Sequence, residues 1–215
     1  MTSTNLRHLL ARARQQSGCE SIQDIINIAA TAEALAVTAM GGALDAAQKG
    51  MLDLNDEQQQ VVAAAQAAEQ AHYDFLVGAG AEPLTTEFTL PDERIVTDVP
   101  TFLKTVIGLE EAFIAAYMAA AQVFAKAGQP ELVQYALQTA AVEGEHRAHV
   151  RFYALQAGLI DDAPNNIAFA KAKFTSVGAA AKALTDLGWI GGSGAKLTYP
   201  GPIEVDMSLI SQTTP

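Results

Sequence analysis

Apolar residues recur at three- and four-residue steps through four separate stretches of the chain, with polar residues gathered on the other side, as in amphipathic helices. Ile22, Ile26, Ala29, Val37, Met40 and Leu44 share the first seam, and Val62, Ala65 and Leu76 the second. Leu103, Val106, Ile114, Tyr117, Ala121 and Phe124 form the third; Leu132, Tyr135, Thr139, Val150 and Tyr153 form the fourth. Start and stop signals bracket each stretch. Ser21 is placed to cap the first helix, which runs to Lys49-Gly50. Asn55 and Gln58 are spaced as a capping box for the second, which ends at Gly78 or Gly80. The third opens at Asp98 with Pro100 in its first turn and runs to Gly128, and the fourth runs from Pro130 to Gly158.

Residues 81 to 98 carry two prolines and no helical periodicity, so they read as an irregular connector. About 18 residues can span roughly 60 Å, enough to cross the length of a bundle of roughly 38 Å helices. The expected fold class is therefore all-α: a four-helix bundle over residues 20–158, made of two antiparallel hairpins joined by one long crossover. Residues 159–215 would add a short helix from about Ile167 to Leu187, interrupted at Gly178, and an extended tail. Trp189, Tyr199 and Ile203 equip that tail to pack on the bundle or on a neighbouring subunit, so a homo-oligomer formed through it is possible.

Four glutamates break the apolar seams where leucine would be ordinary: Glu33, Glu69, Glu110 and Glu143. Two of them are followed three residues later by histidine, giving the pairs Glu69/His72 and Glu143/His146. Residues at equal depth in a helical hairpin mirror each other about its turn. The midpoint of 33 and 69 is 51, and that of 33 and 72 is 52.5, both inside the Gly50 to Asp53 turn. For 110 with 143 and 146 the midpoints are 126.5 and 128, at the Gly128 turn. All six residues should therefore share one layer, within about one helical turn, or 5 Å. Other candidates fall elsewhere. Glu111 shares a face with Lys104, Gln122 and Lys126, and Glu145 with Glu131, Gln134 and Gln138, so both read as solvated. His149 lies on that second face as a surface residue or one behind the site, and His8 precedes the bundle without an identifiable partner.

An uncompensated buried carboxylate costs several kcal/mol, comparable to the stability of a whole domain. Four converging ones require positive charge, and no lysine or arginine lies beside them on the seams. Two divalent metal ions would supply it. Glutamate-rich ligands with one imidazole per metal suit iron or manganese and leave room for dioxygen or hydrogen peroxide. The competing reading is a hydrogen-bonded, partly protonated polar cluster. Tyr117, seven residues after Glu110 on the same seam, is the candidate catalytic residue beside the metals, where its phenol would hydrogen-bond a ligand or donate an electron; the alternative is a satisfied core tyrosine.

Net charge −11 argues against nucleic-acid and acidic-membrane partners and favours cations. A single cysteine, Cys19, excludes an intrachain disulfide and a cysteine metal cage. Ile25 to Leu44 is long enough to span a bilayer, but it is rich in Ala, Gly and Thr, carries Glu33 and lacks aromatic or basic flanks, so a core helix fits better. No apolar run follows the basic residues of the first segment, which makes a cytoplasmic location the default expectation.

The order Glu, Glu-x-x-His, Glu, Glu-x-x-His resembles the ferritin-like superfamily. The segments EALAVTAM, AAEQAHYDFLVGAGAEP and LEEAFIAAY look like the ferritin-like domain family that includes desiccation-related proteins. The resemblance covers roughly residues 20–158. It implies a ferritin-like bundle in which Glu69 and Glu143 bridge or chelate two metals while Glu33 and Glu110 are terminal ligands. Relatives often carry an export signal, a feature not found in this chain, so export is not excluded by the resemblance. Three functions are compatible with it: a ferroxidase or peroxide-consuming oxidoreductase, a non-enzymatic stress-protection protein with an empty or structural site, and an iron-storage shell subunit, the last disfavoured by the irregular connector and aromatic tail.

Overall fold

The computed structural model describes residues 20–215; His8 and Cys19 lie outside the described residues. Helices α1 (Ile22–Gln48), α2 (Asp56–Gly78), α3 (Val99–Lys126) and α4 (Pro130–Gln156) form the bundle. Each begins where its sequence satisfies free amides. The Ser21 side chain accepts from the Asp24 amide, Asn55 and Gln58 close a capping box, and Asp98 accepts from the Thr101 amide. Before α4, Gln129 makes no side-chain cap, but Pro130 in the first turn has no N–H to satisfy. Gly50 and Gly128, at φ 70° and 66°, let the chain reverse after α1 and α3 in a conformation unfavourable to other residues. The pairs α1/α2 and α3/α4 make the largest helix–helix contacts, as two hairpins require.

The crossover is more ordered than its composition suggests. It contains strand β1 (Glu87–Leu90) and a 3-10 turn, Glu93–Val96. β1 pairs antiparallel with β2 (Ala195–Thr198) from the tail, Glu87 opposite Thr198 and Leu90 opposite Ala195. An isolated two-stranded ribbon is marginal in water, so packing must hold this one. Phe88, Leu90 and Trp189 are buried with Leu35, Leu109 and Phe113 of the bundle, and the Thr89 amide donates to the Trp189 carbonyl at 2.8 Å. Further on, the Tyr199 ring lies 4.5 Å from that of Tyr73, and Gln70 Nε2 donates to its hydroxyl at 2.7 Å. The tail thus packs on its own bundle.

The last helix, α5 (Val177–Asp186), is shorter than expected: the span from Ile167 to Ser176 is not helical. Ser176 caps α5 by accepting from the Ala179 amide, and the Glu20 carboxylate accepts from the amides of Val177 and Gly178, at 2.9 and 2.5 Å. Gly178 therefore marks the start of a helix instead of interrupting one. A Cβ there would meet Glu20 Oε1 at 2.7 Å, so a larger residue would have to displace this capping carboxylate.

Helices α1 and α3 are long and apolar enough to cross a membrane. In this fold they are core helices, with Glu33 and Glu110 turned inward. One apolar cluster, with Ile26, Leu76, Phe124 and Leu132, fills one end of the bundle; a second, with Leu52, Leu54, Phe102 and Leu103, fills the other. The six predicted residues lie between them.

If the ribbon is held by burial, Phe88→Ala should lower unfolding stability by about 3–5 kcal/mol in urea denaturation. A loss below about 1 kcal/mol would mean that the ribbon contributes little to the fold.

Candidate metal centre

Each bundle helix brings one glutamate to the same place, because each carries it on the seam that packs inward. Glu33, Glu69 and Glu143 are 0 % exposed and Glu110 is 2 % exposed. His72 and His146 stand one turn after Glu69 and Glu143, and both present Nδ1 to the layer.

The oxygens divide between the histidines in a regular way. Glu69 Oε2 lies 3.5 Å from His72 Nδ1, and its Oε1 lies 2.9 Å from His146 Nδ1. Glu143 mirrors this arrangement, with Oε1 3.5 Å from His72 Nδ1 and Oε2 3.5 Å from His146 Nδ1. Glu33 closes the His72 side at 3.6 Å and Glu110 the His146 side at 3.9 Å. Two overlapping groups result, Glu33/Glu69/His72/Glu143 and Glu69/Glu110/Glu143/His146, and each could hold a metal ion. Glu69 and Glu143 belong to both.

Eight inward-facing atoms in this layer are buried without a hydrogen-bond partner from the protein: Glu33 Oε2, both oxygens of Glu69 and of Glu143, Glu110 Oε2, and Nδ1 of both histidines. Buried polar atoms are nearly always satisfied, and so many orphans around one point fit a cation that accepts all of them as ligands. Among the described residues, no lysine or arginine forms an ion pair with these carboxylates, whose short partners are the two imidazoles.

The protonation equilibria register the same strain. Burial, with repulsion from Glu69, raises the Glu33 carboxyl well above the usual range; burial, with repulsion from Glu143 and Glu69, does the same to Glu110. Burial opposes ionisation of Glu69 too, but the facing His146 and His72 imidazoles outweigh it and hold Glu69 well below the usual range. Burial would likewise lower both histidines, yet their carboxylate neighbours win: His72 is raised well above 6.5, and His146 from 6.5 to about 10.

Tyr117 meets the layer directly, its hydroxyl donating to Glu33 Oε1. Burial, then the charge of Glu33, raises the phenol well above its usual pKa. Glu145 and His149 are exposed, and the His149 ring packs 5.1 Å from that of Tyr153. Glu111 pairs with Lys173 at 2.6 Å. Gln66 was missed by sequence reasoning. It is buried one turn before Glu69, and its Nε2 donates to the Val37 carbonyl at 3.1 Å, tying α2 to α1 close to the carboxylate layer. Its place on the Glu69 face, among alanines, was the available signal.

A four-helix bundle joined by a long crossover, with carboxylates and two Glu-x-x-His pairs directed into its centre, defines the di-metal carboxylate class of helical proteins. Residues 21–156 match the family model described as a ferritin-like domain, and the chain belongs to that family. Searches of curated proteins and of solved structures gave no match.

The pH dependence of the metal-free protein has a definite sign. A histidine raised from 6.5 to about 10 contributes stability that is fully present below pH 6.5 and lost as pH rises through about 10. The raised carboxyls of Glu33 and Glu110 act in the same direction, since their burial as anions costs more as pH rises. Ligation needs deprotonated side chains, so metal-loaded protein should escape this loss. The gap in Tm between metal-loaded and metal-free protein, followed by circular dichroism, should widen from pH 6.5 upward. A gap independent of pH would contradict the assignment.

Proposed function

We propose that this protein is a di-metal oxidoreductase, binding two iron or manganese ions between Glu33, Glu69, His72, Glu110, Glu143 and His146 and acting on dioxygen or hydrogen peroxide as a ferroxidase or peroxide-consuming enzyme. The observation that carries this reading is the sharing of Glu69 and Glu143, each turning one oxygen toward each histidine, which suits two bridged cations rather than one. Oxygen-rich ligands with one imidazole per metal favour iron or manganese over structural zinc, which prefers a closed site commonly built from cysteine. Such a pair, when bound, supplies a one-electron change at each ion and so two-electron chemistry on dioxygen or peroxide.

The chain's own residues shape that chemistry. Glu69 and Glu143 would be held in common by the two ions, and Glu33 and Glu110 would each be held by one of them. The Tyr117 hydroxyl fixes the orientation of Glu33 and holds a proton at the edge of the layer. The apolar clusters above and below bury the four carboxylates, which are at most 2 % exposed.

One observation favours a second reading, a non-enzymatic stress- or desiccation-protection protein with an empty or structural site. The raised pKa values of His72 and His146 let protonated imidazoles offset carboxylate charge, giving the fold a way to stand without metal.

Mass-spectrometric metal analysis of protein purified without added metal should find two equivalents of iron or manganese. Glu69→Ala and Glu143→Ala should each lose both the metals and turnover. Metal-replete protein that neither oxidises ferrous iron nor consumes peroxide would exclude the enzymatic reading. Tyr117→Phe should keep its metals while turnover falls by roughly 10²-fold, the lower range for loss of a positioned proton donor. Unchanged turnover would make Tyr117 a core tyrosine only.

A further inference from the structure

We propose that the bundle interior is also a binding site for an elongated, uncharged apolar molecule, lying alongside the carboxylate layer with the C-terminal segment Leu209–Pro215 forming part of its wall. A cavity of about 790 Å³ runs between the helices. That is the size of a small-molecule site, about 300–1,000 Å³, and far larger than the gaps left in a closely packed core.

Side-chain size explains the space. Where leucine-sized residues would close a bundle, α2 presents Ala64, Ala65 and Ala68 to the cavity and α3 presents Ala112 and Ala116. The hairpins also meet unevenly: α2 packs on α1 and α4 on α3, while α2 and α4 make little contact with each other. Val61, Val62 and Phe75 on α2 consequently remain only half-buried. The cavity opens to solvent near Gln138, Glu145 and His149, and its wall is mostly apolar, so a carbon-rich occupant would remove apolar surface from water.

Shape and charge narrow the occupant. The cavity touches Leu54 and Phe102 at one end of the bundle and Phe124 and Leu132 at the other, passing His72, Glu110 and His146 between them. A long, thin ligand fits that path better than a compact one. Among the described residues the lining includes no lysine or arginine; its polar members are chiefly neutral, such as Gln58, Gln138 and Thr139, and its acidic ones are Glu110 and Glu145. The lining imidazoles of His72 and His146 already face the four carboxylates, so an anionic head group would find no free counter-charge in a protein of net charge −11. A hydrocarbon chain ending in nothing more polar than a hydroxyl is the class that remains. Binding rests on the cavity alone; only the placing of the chain beside a metal pair rests on the function proposed above.

The neutral fluorophore N-phenyl-1-naphthylamine tests this on the full chain, in metal-loaded and chelator-treated protein. The expected result is saturable fluorescence enhancement in both forms, reversed by 1-hexadecanol but not by hexadecanoate or hexadecylammonium. Ala65→Trp, filling the cavity one turn before Glu69, should weaken probe affinity by about tenfold or more, equivalent to about 1.4 kcal/mol, with helical content retained. Val62→Trp provides an independent occlusion should the first variant misfold. Absence of saturable binding to the wild-type chain overturns the proposal, as does affinity unchanged in both folded tryptophan variants. Equal displacement by either charged amphiphile overturns the uncharged class, and self-association that excludes the probe makes the opening a protein interface instead. Probe binding by protein that never takes up metal would sink the di-metal function and leave this site standing.

Discussion

The placement of four carboxylates in one dry layer is the constraint around which the molecule is organised. Glu33, Glu69, Glu110 and Glu143 each occupy a position that packing alone would give to an aliphatic side chain. Among the described residues, their short ion-pair partners are His72 and His146 alone, and burial with mutual repulsion pushes the Glu33 and Glu110 carboxyls toward the neutral form. The resulting electrostatic cost is borne by the apolar clusters on either side of the layer and by the ribbon of β1 and β2 against the flank. Stability is traded here for a site that favours cations.

The same constraint gives the unusual helix composition a reason. A bundle closed by leucine everywhere would leave no approach to its centre. Alanine on the inner faces of α2 and α3 keeps the helices regular while leaving space that reaches His72, Glu110 and His146. The crossover and the first part of the tail cover another flank of the bundle, where Phe88 and Trp189 bury against Leu35, Leu109 and Phe113. The molecule is therefore sealed at its ends and on one flank, and loosely packed along its interior.

Much of this was legible in the linear order of residues because helices translate spacing into direction. Three- and four-residue steps put Glu69 and His72 on one face, and equal distances from the turns at Gly50 and Gly128 put all six residues at one height. The decoy Glu111 separates from Glu110 by the same rule, since adjacent residues point about 100° apart on a helix. Local rules failed where structure depended on distant partners. Strand β1 was hidden because its four residues gain their order from Ala195–Thr198, more than a hundred positions later. The start of α5 was misplaced because Glu20, at the other end of the described chain, supplies part of its cap. Gln66 was passed over because its partner is a backbone carbonyl, which no side-chain pattern reveals.

By itself, then, the amino-acid order determined the four helices, the faces they bury and the common level of the carboxylates and imidazoles, since these depend on periodicity and on turns close in the chain. Tertiary structure alone decided which oxygen faces which histidine, that the Tyr117 hydroxyl settles on Glu33, that the tail folds back onto its own bundle, and that alanine-lined space remains between α2 and α4. Those features depend on distances between helices, and such distances follow from how side-chain volumes fill the interior together.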